Sequence, residues 1–329
     1  MHVGCYVTYM NSFRFTLVIL LFLTYCASSQ TRKLSKLPDA LRSEQYYFSD
    51  SQNLIDRLQT PSEGLVKYLA EMDQSKTYKS YTLNSDETRI LDKYIKYLPS
   101  KFSTCLREHK VNFVFIENFK GGGMIQYTIS SSRQISAFVI LNPKILTVPL
   151  QKWIEYRDNS AFFGQNKITL RIPLGNSHPA LLSILIHEAA HIYDLFNNVT
   201  PYVDSDLYDL GLAKNNPTPF TENVWADFHV PVPAYEYAGR MDIRSYGLGE
   251  PIDSIYIRFF FEQLSKTPFV SLYGARFWSE DYAETYTWCY LNAKMQIEYF
   301  ITAYQNNQKI FTYYSLRDEK ALQRCESVL

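Results

Sequence analysis

His187 and His191 stand in the run His187-Glu188-Ala189-Ala190-His191. On a helix, positions i and i+4 share one face a turn apart, so both imidazoles can meet on a single metal ion. Glu188 projects to one side of that pair, where it can hold and deprotonate a water activated by the metal. A bare match to this pattern turns up by chance in roughly one chain per hundred of this length, so its surroundings must decide. The flanking run Ala180-Leu181-Leu182-Ser183-Ile184-Leu185-Ile186 predicts a helix that is apolar on most faces. It is entered through Ser177-His178-Pro179 and is expected to run to about Phe196. Two histidines and a glutamate buried in such a helix lose hydration and need a partner. One zinc ion supplies that partner.

Catalytic zinc takes a third protein ligand and keeps one position open. A metzincin pattern would need a glycine at position 194 and a histidine at position 197, but the chain has Asp194 and Asn197. His178 is too far upstream to converge along a straight helix, and His229 sits among prolines, so both are read as structural or surface residues. The better source is Ser279-Glu280-Asp281-Tyr282-Ala283-Glu284, where Glu280 and Glu284 are again i and i+4. One carboxylate can bind the metal while the other orients a ligand histidine. Without the histidine pair, these acids would read simply as first-turn residues behind a Ser279 N-cap. Asp281, about 100° around the helix from Glu280, is expected to point elsewhere and to add only dipole stabilisation.

These two motifs carry a family resemblance. The histidine run with Asp194, followed by Tyr273-Gly274-Ala275-Arg276-Phe277-Trp278-Ser279-Glu280-Asp281-Tyr282-Ala283-Glu284-Thr285-Tyr286, resembles the catalytic domain of anthrax lethal factor and related bacterial gluzincins. In that family a tyrosine precedes the ligand glutamate by seven residues and an Ala-Glu pair follows it, and both intervals match here. Asp281 stands where the family has an aromatic residue. The resemblance spans about 30 residues near the motifs and nothing before about Val111. It implies zinc held by His187, His191 and Glu280, with Glu284 in support. It also implies that Glu188 acts as general base and that Tyr273 offers its hydroxyl to the oxyanion. The expected activity is that of a zinc metallopeptidase of the gluzincin type, a hydrolase acting on protein or peptide substrates. Two rivals remain: a zinc hydrolase of cell-wall peptides, and a non-catalytic binding protein with a relic site, against which the intact Glu188 speaks.

The elements that must position these residues are legible in outline. The region 30–110 reads as mostly helical, with apolar residues at helical spacing around Leu65, Leu69, Leu91 and Ile95. From 111 to 329 a zincin-like catalytic domain is expected. Segments 111–116, 137–141 and 168–172 read as strands of one twisted sheet, and the triple glycine at 121–123 as a hairpin turn. The sheet should pack on the histidine-bearing helix, its edge strand receiving an extended peptide by strand addition. Residues 204–253, broken by glycines and prolines, read as a long irregular insertion. A helix is expected over 254–264, and another after Ser279 toward Ala303, giving an α+β fold with a mostly helical C-terminal half.

Composition narrows the setting. The 33 basic and 33 acidic residues cancel, which argues against a nucleic-acid partner, and 46% hydrophobic residues are ample for a packed core. Arg14 precedes an apolar run over 15–25 and then Ala27, Ser28 and Ser29, the pattern of a signal peptide over 1–29. That run is far shorter than the roughly 20 residues of a spanning helix, so an exported, secreted or periplasmic protein without a transmembrane span is expected. Cys26 follows an imperfect lipoprotein box whose bulky Tyr25 argues against lipid attachment. Export would allow two of Cys105, Cys289 and Cys325 to pair, and their spacing does not say which.

Overall fold

The computed structural model describes residues 37–164, 168–201, 207, 211–212 and 216–329. The expected leader over 1–29, with Cys26, lies outside them. Strand β1 (Leu58–Gln59) precedes α1 (Glu63–Met72), β2 (Lys79–Tyr81), α2 (Ser85–Ile95) and α3 (Ser100–Glu108). Ser62 caps α1 by accepting from the Leu65 N–H, and Asn84 forms a reciprocal capping box with Glu87 on α2. Strands β3 (Asn112–Glu117), β4 (Gly123–Ile129) and β5 (Ile135–Leu141) follow. The main sheet runs β1-β3-β5-β4, with β2 beside β1 on the same edge of β3. Side chains alternate along the strands. Phe113, Phe115, Val139 and Leu141 join the large core, while Val114, Ile116, Phe138 and Ile140 pack on Leu65 and Leu69 of α1.

The triple glycine is not a hairpin turn. β5 pairs in parallel with β3 and occupies the slot beside it, so the chain after β3 crosses to the outer side of β5. The hairpin is β4–β5, closed where the Ser130 N–H donates to Gln134 O and Arg133 N–H to Ser130 O.

After α4 (Leu150–Asn159), β6 (Phe162–Phe163) and β7 (Ile168–Arg171) comes α5 (Leu181–Asn197). Every residue from Leu181 to Ala190 is buried, which explains why the sequence is apolar all round the helix. Left-handed Asn198 ends it, its N–H returning to Asp194 O at 2.8 Å. The described part of 204–253 is largely irregular, with a 3-10 turn at Arg240–Asp242 and the short strands β8 (Trp225–Asp227), β9 (Val230–Pro231) and β10 (Ile252–Asp253), the last pairing with β6. Helices α6 (Ile257–Leu264) and α7 (Trp278–Met295), strands β11 (Phe300–Gln305) and β12 (Gln308–Tyr314), and α8 (Glu319–Val328) complete the chain.

Two expectations are corrected here. β7 is not in the main sheet; it pairs with β11 in a separate antiparallel sheet of order β12-β11-β7. α7 stops at Met295 rather than near Ala303, because Gln296 turns left-handed and the β-branched and aromatic run after it is paired on both sides as β11. Asn306 and Asn307, with φ of 50° and 61°, close the β11–β12 hairpin as two-residue turns require. A disulfide, Cys289–Cys325, ties α7 to α8, and Cys105 is buried and free. The fold is α+β, with eight helices and several small sheets among the described residues. No helix among them is long and apolar enough to cross a membrane.

Candidate metal centre

α5 and α7 pack against each other and bring the two motifs face to face. His187 Nε2 lies 3.1 Å from His191 Nε2 and 3.2 Å from Glu280 Oε2, and His191 Nε2 lies 3.7 Å from the same oxygen. Two imidazole nitrogens and one carboxylate oxygen therefore converge on one point, and this group could hold a metal ion. Glu280 Oε2 is buried and accepts no hydrogen bond, and Glu188 Oε2 is in the same condition. Buried carboxylate oxygens without donors are costly unless a cation satisfies them, so the donor set fits a metal.

Glu284 stands behind the histidines and reaches His187 Nδ1 at 3.4 Å through Oε1. Four further contacts fix it. Arg157 Nη1 donates to both of its oxygens at 2.9 Å, Ser271 Oγ donates to Oε2 at 2.7 Å, and Trp288 Nε1 donates to Oε2 at 3.0 Å. A carboxylate on Nδ1 is placed to turn Nε2 toward the convergence point. Burial opposes the charge on Glu284, but Arg157 and His187 outweigh it and bring its pKa down to about 2. Burial likewise opposes charge on His187, but Glu280 and Glu284 raise it to about 10. Glu280 is held below the usual carboxylate range because the two histidines outweigh its burial. The centre is thus rich in negative charge, an environment that favours a cation.

Glu188 is 4% exposed, and burial raises its pKa against the pull of His187 and His191. That is the direction a general base needs. Gly123 lies directly on Glu188, with Gly122 against the neighbouring Ile184. A Cβ at Gly123 would sit 2.9 Å from Glu188 Cγ and 3.0 Å from the Ile140 carbonyl oxygen, and one at Gly122 would sit 2.7 Å from Ile184 Cδ1. Only glycine lets the start of β4 touch this face of α5. Gly122, Arg157, His187, Glu188, Tyr246 and Tyr273 line a cavity of about 170 Å³.

Tyr273 faces the centre, its ring 6.1 Å from that of His187, and burial pushes its hydroxyl well above the usual range. His178 and His229 lie apart: the Tyr94 hydroxyl sits 3.1 Å from His178 Nδ1, and His229 is exposed. Asp281 does point away from the metal group, but its expected role is corrected. It is fully buried, paired with Arg324 Nη2, and accepts from Trp225 Nε1 at 2.9 Å and Thr285 Oγ1 at 3.2 Å. It locks the ligand-bearing turn to α8 rather than merely feeding the helix dipole.

Two site residues escaped the sequence reading. Arg157 is 2% exposed and holds both Glu284 and Asp158, the latter at 2.7 Å. Tyr246 comes from the irregular insertion and sits at φ 61°, a backbone conformation an aromatic residue rarely adopts. Its N–H donates to Ser160 Oγ at 2.7 Å, and its ring meets that of Tyr273 edge-on at 6.0 Å. Arg157 had no local signal; for Tyr246 the neighbouring Gly247 was the only hint of a turn. No protein family, curated protein or solved structure matches the chain.

Proposed function

We propose that this chain is an exported, zinc-dependent metallopeptidase with a zincin-like centre at His187, His191 and Glu280. One observation carries the reading. Tetrahedral zinc with bonds of about 2.0–2.1 Å separates its ligand atoms by about 3.3 Å, and the 3.1, 3.2 and 3.7 Å separations here bracket that value. Two imidazoles with a single carboxylate also leave the fourth position open, as a catalytic site requires.

When bound, the ion would lower the pKa of water to about 7 and polarise the scissile carbonyl. The chain's residues supply the rest. Glu188, whose free Oε2 is buried beside the histidines, takes the proton of the attacking water and passes it to the leaving nitrogen. Tyr273 donates its phenolic hydrogen to the developing oxyanion. Glu284 keeps His187 turned toward the ion, and Arg157 keeps Glu284 ionised. Strand β4 lies at the edge of the sheet and against α5, so an extended peptide can add to it as a further strand. An isolated bridge from Arg42 to Ile129 closes the far end, leaving the Gly123 end, which lies against Glu188, for that pairing.

The test is zinc content together with hydrolysis. Purified chain, reconstituted and dialysed, should hold about one zinc. It should cleave casein or a peptide library, lose that activity to a chelator and regain it with zinc. His187→Ala should abolish stoichiometric zinc; full occupancy in that variant at submicromolar free zinc would put the site elsewhere.

A further inference from the structure

A buried guanidinium seldom lacks acceptors, because it has given up its hydration. Arg57, Arg157, Arg240 and Arg324 are buried here, and each donates to protein oxygens. Arg276 is the exception. It is 7% exposed, its Nε is buried without a partner, and among the described residues it forms no ion pair or side-chain hydrogen bond. It ends the 3-10 turn Gly274–Arg276, which lies between Tyr273 and the Glu280 turn of α7.

Its surroundings hold the group without using its donors. The Arg276 guanidinium carbon lies 4.8 Å from the centre of the Phe277 ring, which in turn stacks on Phe228 at 5.0 Å. Stacking engages the guanidinium face and leaves free the edge N–H groups that fork onto a carboxylate. The backbone of the turn is clamped from the insertion, where Arg240 Nη1 donates to Ala275 O at 2.6 Å and to Arg276 O at 3.3 Å.

The same insertion brings a second guanidinium. Arg244 lies just before Tyr246, whose ring meets Tyr273, and it too forms no ion pair among the described residues. Gly249 makes room for its stem, since a Cβ there would sit 2.6 Å from Arg244 Cγ. The two cations feel each other: Arg276 is lowered from the usual arginine range, first by burial and then by Arg244, with Tyr273 and Glu280 pulling the other way. Glu280, the nearby carboxylate, is turned to the histidine pair, so two neighbouring guanidiniums that form no ion pair are arranged for an anion that arrives from outside the chain.

We propose that Arg276, assisted by Arg244, is the recognition site for a carboxylate carried by the substrate and held beside the metal centre. The inference rests on the peptidase reading and sharpens it, because it selects substrates that present a carboxylate near the cleaved bond. Two sources offer the same chemistry: the C-terminal carboxylate of a peptide, and an Asp or Glu side chain near the cleaved bond.

The test uses the zinc-loaded full chain carrying Glu188→Gln, so that peptides bind without being cut. Three labelled peptides of one sequence are titrated by fluorescence polarisation: one with a free C-terminal carboxylate, one with a carboxamide, and one carboxamide with a Glu beside the central bond. One of the two acidic probes should bind about tenfold or more tighter than the neutral one, and which one it is names the source. Adding Arg276→Gln should shrink that preference to within about twofold, and Arg276→Lys should keep part of it. Should Arg276→Gln not fold, Arg244→Gln, expected to weaken the same preference, carries the test. Equal binding of all three probes, or a preference that survives both neutral variants, overturns this inference while leaving the peptidase reading standing. Failure of every probe to bind, while the zinc-loaded wild type cleaves the peptide library, also overturns this inference alone; a zinc-loaded wild type that cleaves nothing overturns both.

Discussion

Three acids crowd one turn of α7 in three different surroundings, so neutralising them one at a time should separate metal binding from stability. Glu280→Gln removes one of the three converging ligand atoms and should reduce zinc affinity the most. Glu284→Gln leaves the ligands in place but strips His187 of its carboxylate partner, an effect of about ten- to a hundredfold on affinity. It also leaves Arg157 with only Asp158 as counter-charge, so the fold should lose up to about 3–5 kcal/mol. Asp281→Asn touches no ligand atom yet breaks a pair whose members are 0% and 9% exposed, and should likewise destabilise by about 3–5 kcal/mol. Competition with a chromogenic chelator measures the first quantity, and urea melts of the metal-free proteins measure the second. The expected order for lost affinity is Glu280, Glu284, Asp281; for lost stability, Glu284 and Asp281 exceed Glu280. A folded Asp281→Asn or Glu284→Gln that binds zinc more weakly than Glu280→Gln would refute the assignment.

Tyr273→Phe should lower kcat by about ten- to a thousandfold with unchanged zinc content, as loss of one oxyanion donor does; an unchanged kcat returns this residue to a packing role. Zinc must displace the proton that His187 holds up to a pKa of about 10, so apparent affinity should rise about tenfold per pH unit from 7 toward 10, once buffer competition is corrected. The same proton stabilises the metal-free fold: this contribution is complete below about pH 6.5 and is lost as pH rises through about 10, which chemical melts at pH 6 and 10 will register. Gly123→Ala should displace Glu188 and cut kcat/KM by at least about tenfold while zinc stays bound, and full activity there would mean that β4 does not brace the base.

What was legible in the sequence is what depends on neighbours one helical turn apart. His187 with His191, and Glu280 with Glu284, announce themselves by spacing, and the apolar run around the first pair marks the buried helix that carries it. The partners that complete the site come from far along the chain. Arg157 reaches Glu284 across 127 residues, and Arg324 reaches Asp281 across 43, so neither pairing leaves a local pattern. Strand partnership fails for the same reason. The run at β7 is visibly a strand, but nothing in its residues says that it pairs with β11 instead of β5. The end of α7 could have been read, because Asn306-Asn307 between aromatic runs is a hairpin signal that outweighs continued helical spacing. Tyr246 reaches the cavity through a strained backbone inside an irregular stretch, where periodicity carries no information.

The central claim is that zinc at His187, His191 and Glu280 works with Glu188 to hydrolyse peptide bonds, and turnover by Glu188→Gln tests it most directly. Wild-type and variant chains, each brought to one zinc per chain, are compared on the same peptide library by mass spectrometry. The account predicts cleavage by the wild type and a fall in kcat of about a hundred- to ten-thousandfold in the variant, because the amide keeps the size of the side chain but cannot take a proton. Equal turnover by the two proteins, or a zinc-loaded wild type that cleaves nothing, would contradict it.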